Sequence, residues 1–437
     1  MDPHIIGLIG MILMLAMIFL HVPIGVAMGL AGVVTFGMIR GDLGPALTLF
    51  GTETVGKVAS MELAVVPLFL LMGAFATVGG LSADLYRIAY ALIGHVRGGL
   101  AMATIGGCAG FGAICGSSIA TATTMTRVAL PEMMKRNYSE KLATGSIATG
   151  GTLGMLIPPS IVLVLYGVLT EQFVKTLFVA AVVPGLMAVV LYMATIWFVT
   201  WRNPALGPAG ERVPWSEVRA ALRNGWAAVV LMIAVTGGIY AGFFSVNESA
   251  AVGAFLSFLI ALFRRRLSLA GFWEALRDTA ATTSMIYLMV IGASIFTYAV
   301  TISGLPELLV NAIRDTGLPA IWIVVMLMVM YIVLGAIFDE IAAMVITIPF
   351  VFPLILSYGL DPIWWGILTL MVVAIGMIAP PIGMNVFVMK AMLPETRLRT
   401  IYAGIIPFLA SDIIRLALVI AFPTLSLFLV EFFDLPR

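Results

Sequence analysis

The chain has 437 residues, of which 62% are hydrophobic and only 10% carry a charge. Soluble domains contain about 45–50% apolar and about 25% charged residues, so the composition excludes a soluble domain, a disulfide scaffold and a disordered chain. A net charge of +1 gives no reason to expect a nucleic acid as partner. The sequence therefore predicts an all-α integral membrane protein, with the lipid bilayer as its surroundings.

Apolar stretches long enough to cross a bilayer recur along the whole chain. Two further stretches, about 99–130 and about 320–357, are apolar but interrupted by Gly and polar residues, and they predict re-entrant hairpins. Two of the crossings contain a Pro-Pro pair and predict broken helices, because proline removes a backbone donor and clashes with the preceding turn. About ten full crossings are predicted, near 5–21, 22–39, 63–81, 142–170, 176–200, 225–243, 249–263, 279–302, 363–389 and 402–430.

The basic residues support the two hairpins. Most of the 23 Lys and Arg residues fall in five clusters. All five clusters lie on one face of the membrane only if each hairpin returns to the membrane face from which it enters. By the positive-inside rule this face is cytoplasmic, so both termini are predicted to face the periplasm. The clusters are Arg87 and Arg97; Arg127, Lys135, Arg136 and Lys141; Arg202, Arg212, Arg219 and Arg223; Arg264, Arg265, Arg266 and Arg277; and Lys390, Arg397 and Arg399.

Two pairs of segments repeat at a nearly constant separation. GAICGSSIAT (112–121) leads to GTLGMLIPPS (151–160), and GAIFDEIAAM (335–344) leads to AIGMIAPPIG (374–383). Gly112 precedes Gly335 by 223 residues, and Pro158 precedes Pro380 by 222. Short matches rich in Gly, Ala and Pro also arise by chance in membrane proteins, but the shared order, the spacing and a polar linker at the midpoint favour a duplication.

The duplication predicts three parts. Residues 1–201 form the first repeat, residues 202–224 a cytoplasmic linker and residues 225–437 the second repeat. Five crossings in each half give the two repeats opposite orientations in the membrane, which is typical of secondary transporters. The first repeat contains the hairpin at about 99–130 and the broken helix at about 142–170. The second contains the hairpin at about 320–357 and the broken helix at about 363–389.

The Pro-Pro pairs predict binding sites. At mid-membrane the carbonyls freed by a break need partners, so such breaks persist where they are buried in protein or line a cavity. An unwound stretch offers carbonyl oxygens to a cation, and the half-helix that follows offers its N-terminus to an anion. The alternative is a plain proline kink. The matched positions of Pro158-Pro159 and Pro380-Pro381 in the two copies favour the binding site.

The predicted hairpin tips carry polar side chains. Gly116, Ser117, Ser118 and Thr121 place three hydroxyls beside a flexible turn, which suits a hard cation such as Na⁺, although such hydroxyls also bond back to their own helix. Asp339-Glu340 occupies the matching place in the second copy, where a charge in apolar sequence costs about 2.5 kcal/mol or more. Asp339 is the predicted ligand, and Glu340 is predicted to face water or to carry a proton. The alternative is an interfacial pair at a shallow tip.

Other function classes lack their motifs. The sequence has no GxxxxGK[ST] loop for ATP hydrolysis and no nucleophile–base set, so we expect no enzymatic activity. The two cysteines and three histidines form no recognisable ligand pattern, and we expect no cofactor. Asp412 and Arg415, three positions apart on one helical face, are predicted to neutralise each other. A non-transporting membrane scaffold and an intramembrane enzyme are the alternatives from other classes, and the duplicated broken helices argue against the scaffold.

The residues just described resemble one family. The run GAICGSSIATATTMTRVALPEMMKRNYSEKLATGSIATGGTLGMLIPPS, the segment VPLFLLMGAFATVGGLSADLYRIA (66–89), and GAIFD with APPIGMNVF are similar to the large, DctM-like membrane subunit of tripartite ATP-independent periplasmic (TRAP) transporters. The resemblance implies an inverted-repeat ion-transporter fold with a scaffold and a mobile, elevator-type domain. It also implies uptake driven by Na⁺ across the bacterial inner membrane.

The same resemblance implies partners and a cargo. A periplasmic binding protein delivers the solute in this family, and a small four-helix membrane subunit, expected here as a separate polypeptide, flanks the scaffold. Family solutes are organic acids such as C4-dicarboxylates. The nearest alternative is a stand-alone carboxylate transporter of the same fold that works without a binding protein.

The resemblance also implies site residues, which fall on the hairpin tips and broken helices. Phe338 departs from the small residue or Met expected before Asp339, which leaves the ligand set open. The expected substrate-lining residues are Pro159, Ser160, Pro381, Gly383 and Asn385. The expected Na⁺-binding residues are Gly116, Ser117, Ser118, Thr121, Gly154, Pro158, Gly335, Asp339, Gly376 and Pro380.

Overall fold

The computed structural model describes residues 2–436, and the fold is all-α, as predicted. The first half of this range forms eleven α-helices. They are α1 (Pro3–Phe19), α2 (Ile24–Arg40), α3 (Gly44–Val58), α4 (Val65–Val78), α5 (Leu81–Ile93), α6 (Gly99–Cys115), α7 (Ser118–Lys135), α8 (Glu140–Gly151), α9 (Leu153–Leu156), α10 (Ile161–Thr170) and α11 (Val174–Arg202).

The second half of the described chain forms eleven more α-helices. A π-helical turn at Ile233–Gly237 joins the first two of them into one continuous element. They are α12 (Trp215–Met232), α13 (Gly238–Tyr240), α14 (Val246–Phe263), α15 (Leu269–Ile302), α16 (Leu305–Arg314), α17 (Ala320–Ile337), α18 (Glu340–Ser357), α19 (Pro362–Gly376), α20 (Met384–Met392), α21 (Leu398–Ala421) and α22 (Thr424–Phe432).

Helix length and hydropathy identify the membrane-crossing elements. Seven elements among the described residues are long and apolar enough to cross a bilayer, and two bent pairs raise this number to nine. Five of the seven coincide with predicted crossings: α11, α12 with α13, α14, α15 and α21. The other two are α17 and α18, the arms of the predicted second hairpin. The apolar helices α1 and α2, of 17 residues each, lie at the first two predicted crossings.

Two predicted crossings are interrupted. The stretch 63–81 contains only the 14-residue α4, which turns by 67° into α5 at Gly79-Gly80. The stretch 402–430 is divided into α21 and α22 at Phe422-Pro423. Gly80 permits the turn between α4 and α5, because glycine readily adopts the positive φ of 72° found there. Pro423 lies at the break between α21 and α22, where proline disfavours continuation of the helix.

Both predicted hairpins are present as paired helices that reverse over two residues. In the first, the Thr104 hydroxyl of α6 lies 4.0 Å from the Met133 sulfur of α7. In the second, the hydroxyls of Tyr331 on α17 and Thr347 on α18 are 2.6 Å apart. In each hairpin the two residues in contact are separated from the turn by similar numbers of residues. The two arms of each hairpin therefore run in opposite directions.

Each half also contains a broken helix that packs on its hairpin. In the first half, α8 and α9 bend by 41° into α10. In the second, α19 is followed by α20 after seven residues without helix. Both Pro-Pro bonds are cis. A Cβ added to Gly112 would lie 2.6 Å from the Gly154 Cα, and one added to Gly376 would lie 2.8 Å from the Gly335 Cα. The repeat motif thus marks equivalent close helix contacts in the two halves.

The linker and three helices differ from the sequence-based expectation. The polar linker is shorter than the predicted 202–224, because α12 already begins at Trp215. The first ten residues of α12 include its charged residues, and the rest of the helix is apolar. Hydropathy alone did not predict α3, α5 and α16. α5 and α16 are amphipathic and too short to span a bilayer, while α3 is also short and its apolar residues are interrupted by Gly, Thr and two charged residues.

Candidate functional site

The first hairpin reverses at Gly116 and Ser117. Gly116 adopts φ 63°, which an L side chain rarely adopts, and Ser117 is the N-cap of α7, its hydroxyl accepting from the Ala120 N–H at 3.4 Å. The Thr121 hydroxyl donates to the Ser117 carbonyl at 2.7 Å. Ser118 and Thr121 are fully buried. The predicted hydroxyl cluster therefore exists, and part of it bonds within its own helix.

The second hairpin reverses at Phe338 and Asp339. Asp339 is the N-cap of α18, and its carboxylate accepts from the backbone N–H groups of Ile341 at 3.0 Å and Ala342 at 2.7 Å. Ser117 and Asp339 are therefore equivalent caps, 222 residues apart like the Pro-Pro pairs. The separation between the two copies changes from 223 to 222 because the first copy has one more residue in its turn. Gly112 precedes Ser117 by five residues, whereas Gly335 precedes Asp339 by four.

Glu340 faces the interior. It is only 6% exposed, so of the two predicted alternatives exposure to bulk water is wrong, and carrying a proton stays a prediction. The reason is tertiary: the carboxylate interacts with the backbone amide of Ser118, at the tip of the other hairpin. Glu340 Oε2 has no hydrogen-bond partner among the described residues. A buried carboxylate oxygen without a partner is costly, which makes it a candidate for binding a cation.

The two tips meet at a cavity of about 400 Å³. Ser117 and Asp339 both line it, together with Glu340. Its remaining walls come from α4 and α15, which lie outside the hairpins and the broken helices. The lining residues are Leu70, Gly73, Ala74, Thr77, Cys115, Ser117, Ile119, Ala120, Asp278, Thr279, Thr282, Met285, Asp339, Glu340 and Ile341.

Asn385 connects the second broken helix to the first hairpin. Its side-chain amide donates to the Ser118 hydroxyl at 2.8 Å and approaches the Ala148 carbonyl at 3.4 Å. Asn385 is fully buried, and its Oδ1 has no partner among residues 2–436. Ser118 therefore has Glu340 at its backbone amide and Asn385 at its hydroxyl. Both neighbours come from the other half of the chain and each has an unpaired oxygen.

The first broken helix contributes backbone to the same region. A Cβ added to Gly154 would lie 2.5 Å from both the Ser117 carbonyl oxygen and the Thr121 hydroxyl. A Cβ added to Gly116 would lie 3.0 Å from the Pro159 carbonyl oxygen. The tip of the first hairpin and the first break are therefore in direct contact. Carbonyl, hydroxyl, amide and carboxylate oxygens converge there, and these are ligands that hard cations prefer.

None of the predicted substrate-lining residues is among the residues that line this cavity. Pro159 and Ser160 are buried, and the Ser160 hydroxyl caps α10 by accepting from the Leu163 N–H at 3.4 Å. Pro380 and Pro381 are exposed. The Gly383 N–H donates to the Ala336 carbonyl at 3.1 Å, which fixes the second break against the second hairpin.

Three other residues singled out in the sequence have surroundings of their own. Pro158 lines a separate apolar cavity of about 320 Å³ beside the π-helical turn. Asp412 and Arg415 form the predicted ion pair at 2.7 Å, and the Tyr192 hydroxyl donates to the same carboxylate oxygen at 2.7 Å.

Sequence reasoning missed the contribution of α4 and α15. Thr77 and Gly73 lie on α4, and Asp278, Thr279 and Thr282 lie on the first half of α15. The Thr279 hydroxyl is buried and has no partner in the part of the chain that the structure describes. The signal was the polar run DTAATTS at 278–284, which interrupts the start of a predicted crossing.

The chain is similar to a family of known proteins over nearly its whole length. Residues 11–425 match the family described as "Tripartite ATP-independent periplasmic transporter, DctM component". The chain belongs to the DctM family of TRAP transporters. It is 35% identical over 402 residues to the C4-dicarboxylate TRAP transporter large permease protein DctM of Pseudomonas aeruginosa, covering 92% of this chain and 93% of that protein.

Other members of the TRAP family are similar over nearly the whole chain. The isethionate permease protein DctMQ of Oleidesulfovibrio alaskensis is 30% identical, covering 93% of this chain and 64% of that protein. The ectoine large permease protein TeaC of Halomonas elongata is 29% identical, covering 95% and 97%. The named solutes differ among these DctM relatives, so membership of the family establishes a multi-pass transporter permease without specifying its cargo.

A solved structure supports the fold. The YdaH transporter of Alcanivorax borkumensis, whose crystal structure is described as having an unusual topology, superposes with a TM-score of 0.64 over 98% of this chain and 100% of that one, at 15% identity. At this identity the similarity concerns the fold alone. The TRAP permease thus has the helical transporter fold that the repeat motifs predicted.

Proposed function

We propose that this chain is the large permease of a Na⁺-coupled TRAP transporter in the bacterial inner membrane. It imports an organic acid that a periplasmic binding protein delivers. The observation that carries the proposal is the meeting of the two hairpin tips at one cavity that Glu340 lines, with Glu340 Oε2 buried and without a partner among the described residues. Asn385, bonded to Ser118 at the first tip, adds a second buried oxygen without a partner in residues 2–436. Such a set of oxygens suits Na⁺.

The proposed coupling has a simple electrostatic basis. Each net positive charge that moves down a membrane potential of 100 mV releases about 2.3 kcal/mol. Na⁺ bound beside Ser118 and Glu340 brings the two tips together and offsets the negative charge of a carboxylate cargo. Movement of the hairpins and broken helices against a scaffold that contains α4 and α15 would then carry cargo and ions together, as an elevator-type mechanism requires.

Family membership supports the proposed cargo and partners. The C4-dicarboxylate named for the Pseudomonas relative supports a small carboxylate as the solute. The tripartite composition of the family supports two partners: a small four-helix membrane subunit and a periplasmic binding protein. We place Gly116, Ser117, Ser118, Thr121, Gly154, Gly335, Asp339 and Gly376 at the Na⁺ sites, and add Glu340 and Asn385 to them.

Reconstitution tests the proposal. The chain is inserted into proteoliposomes with the small subunit, and uptake of radiolabelled succinate is measured with the binding protein outside and a Na⁺ or a K⁺ gradient. We expect uptake with Na⁺ only and only with the binding protein present. Equal uptake with K⁺ would contradict Na⁺ coupling, and full uptake without the binding protein would favour the stand-alone carboxylate transporter.

A further inference from the structure

A second polar cavity lies at the base of the first hairpin, far from its tip. It has a volume of about 440 Å³ and lies between α5 and the two hairpin arms. Leu100, which lines it, precedes Gly116 by 16 residues, or about 24 Å along α6. The cavity is therefore separate from the one between the tips. Its lining residues are Ala83, Tyr86, Arg87, Tyr90, Leu100, Val128, Glu132 and Arg136.

The cavity carries two arginines from different elements. Arg87 lies on α5 and Arg136 follows the last residue of α7, and neither forms an ion pair within residues 2–436. The Arg136 guanidinium carbon lies 4.8 Å from the centre of the Tyr90 ring, which holds this group at the cavity wall. Glu132 is the acidic residue of the lining and binds Lys135 at 3.1 Å. Two cations against one anion leave a net charge of +1 in the lining.

A buried hydroxyl adds a third donor. Tyr86 is only 4% exposed, and its hydroxyl has no hydrogen-bond partner in the described part of the chain. A buried polar group without a partner is rare, because it loses its hydrogen bonds to water without replacement. A ligand oxygen in the cavity would accept from this hydroxyl. Because Tyr86 also lines the cavity, its unpaired donor supports a site for a ligand with an acceptor oxygen.

We propose that this cavity binds a phosphate ester, with the Arg87 and Arg136 guanidiniums and the Tyr86 hydroxyl as donors to the phosphate oxygens. Guanidinium groups match the geometry of phosphate oxygens, and the net charge of +1 matches the single charge of a phosphodiester. Ala83, Leu100 and Val128 provide an apolar wall for the glycerol and first methylenes of a lipid. The same chemistry is offered by a phospholipid headgroup and by a soluble phosphate ester.

The site joins α5 to the first hairpin. Arg87 comes from α5, whereas Arg136 and Glu132 come from the end of the second arm, so one ligand contacts both elements. Both arginines belong to clusters predicted to face the cytoplasm, which is the level of phospholipid headgroups in the inner leaflet. A bound phosphate ester would therefore hold the base of the hairpin against α5.

Ligand binding to the purified full-length chain tests this site. Native mass spectrometry in detergent measures binding of dioctanoyl phosphatidylglycerol, dioctanoylglycerol without phosphate, and glycerol 3-phosphate. We expect phosphatidylglycerol to bind and the Arg87→Gln and Arg136→Gln variants each to bind it about tenfold more weakly, since each loses a charge-assisted hydrogen bond. Tyr86→Phe removes one donor and should weaken binding about threefold or more. Arg219→Gln, at an exposed arginine of α12 predicted to lie on the same face, is the matched control.

The outcomes separate the two sources. Binding of phosphatidylglycerol but not of glycerol 3-phosphate identifies a lipid headgroup, and equally tight binding of glycerol 3-phosphate, lost in the same variants, identifies a soluble ester. Thermal melting of each variant reports whether it folds. If an arginine variant does not fold, Tyr86→Phe decides the matter. No phosphate-dependent binding to the wild type, or binding unchanged in every folded cavity variant, would overturn the proposal.

Discussion

The Asn385 side-chain amide donates a hydrogen bond of 2.8 Å to the Ser118 hydroxyl, joining residues that lie 267 positions apart. The bond links the broken helix of the second half to the hairpin of the first. Each partner is fully buried, so neither can exchange this bond for one to water. The two halves therefore meet at a specific polar contact beside the proposed Na⁺ site.

Removal of this contact should weaken Na⁺-dependent uptake. Ser118→Ala leaves the Asn385 amide with only its weak 3.4 Å contact to Ala148, and an unpaired buried donor costs about 1–3 kcal/mol. We expect the Na⁺ concentration for half-maximal uptake to rise about tenfold in Ser118→Ala and in Asn385→Ala. The double variant should be little worse than either single one, because both remove the same bond. Ser411→Ala is the control, since this buried serine bonds to Phe408 of its own helix. Fully additive effects would contradict the pairing.

The two acidic residues of the second tip should respond differently to neutralisation. Asp339→Asn keeps an oxygen that caps α18, because Asn and Asp are similarly good N-caps, so the variant should fold normally but lose Na⁺-dependent uptake. Glu340→Gln removes an uncompensated buried charge, so its melting temperature without Na⁺ should equal or exceed that of the wild type. Na⁺ should stabilise the wild type against heat more than K⁺ does and should lose this effect in Glu340→Gln. If Na⁺ stabilised both variants as much as it stabilises the wild type, Asp339 and Glu340 would not be Na⁺ ligands.

The glycine contacts of the repeat should tolerate no side chain. An added Cβ at Gly154 would lie 2.5 Å from the Ser117 carbonyl oxygen, and such overpacking costs about 1–3 kcal/mol. We expect Gly154→Ala and Gly376→Ala to lower the melting temperature of the purified chain. Gly51→Ala on α3 is the matched control: nothing lies within 4 Å of its added Cβ, and alanine favours helix. A melting temperature as high in Gly154→Ala as in Gly51→Ala would show that this contact is looser than described.

Arg264 should stabilise the junction of three helices. It forms an ion pair with the buried Asp84 of α5 and donates to the Asn224 carbonyl of α12 at 2.8 Å. Arg264→Gln leaves a buried carboxylate without its counter-charge, which costs about 3–5 kcal/mol for fully buried pairs and less at this partly exposed position. Thermal melting should drop clearly in Arg264→Gln and little in the exposed neighbour Arg265→Gln. Equal melting of the two variants would indicate that the ion pair contributes nothing.

Cysteine labelling tests the predicted orientation. Cys108 and Cys115 are buried, so they should add little background. With the positively charged clusters in the cytoplasm, Glu171→Cys faces the periplasm and Glu211→Cys the cytoplasm; both side chains are exposed. A membrane-impermeant maleimide should label Glu171→Cys in spheroplasts and Glu211→Cys only after lysis. The reverse pattern would mean that the chain has the opposite orientation.

Local sequence determined the class of this protein and the places where its helices break. Hydropathy over about 20 residues identifies a membrane helix because lipid requires every backbone group to be paired within the segment. Gly116 and the two Pro-Pro pairs mark interruptions because their backbone chemistry acts on the residues next to them. The repeat of these marks predicted that each half contains one hairpin and one broken helix.

Only the tertiary structure decided which residues meet between the two halves. The burial of Glu340, the bond from Asn385 to Ser118, and the walls formed by α4 and α15 all depend on how distant helices pack. No periodicity encodes such contacts, because an apolar helix offers several similar faces and packing against neighbours selects one of them. The same reason explains α5 and α16: whether a short amphipathic helix is stable depends on the neighbours that cover its apolar face.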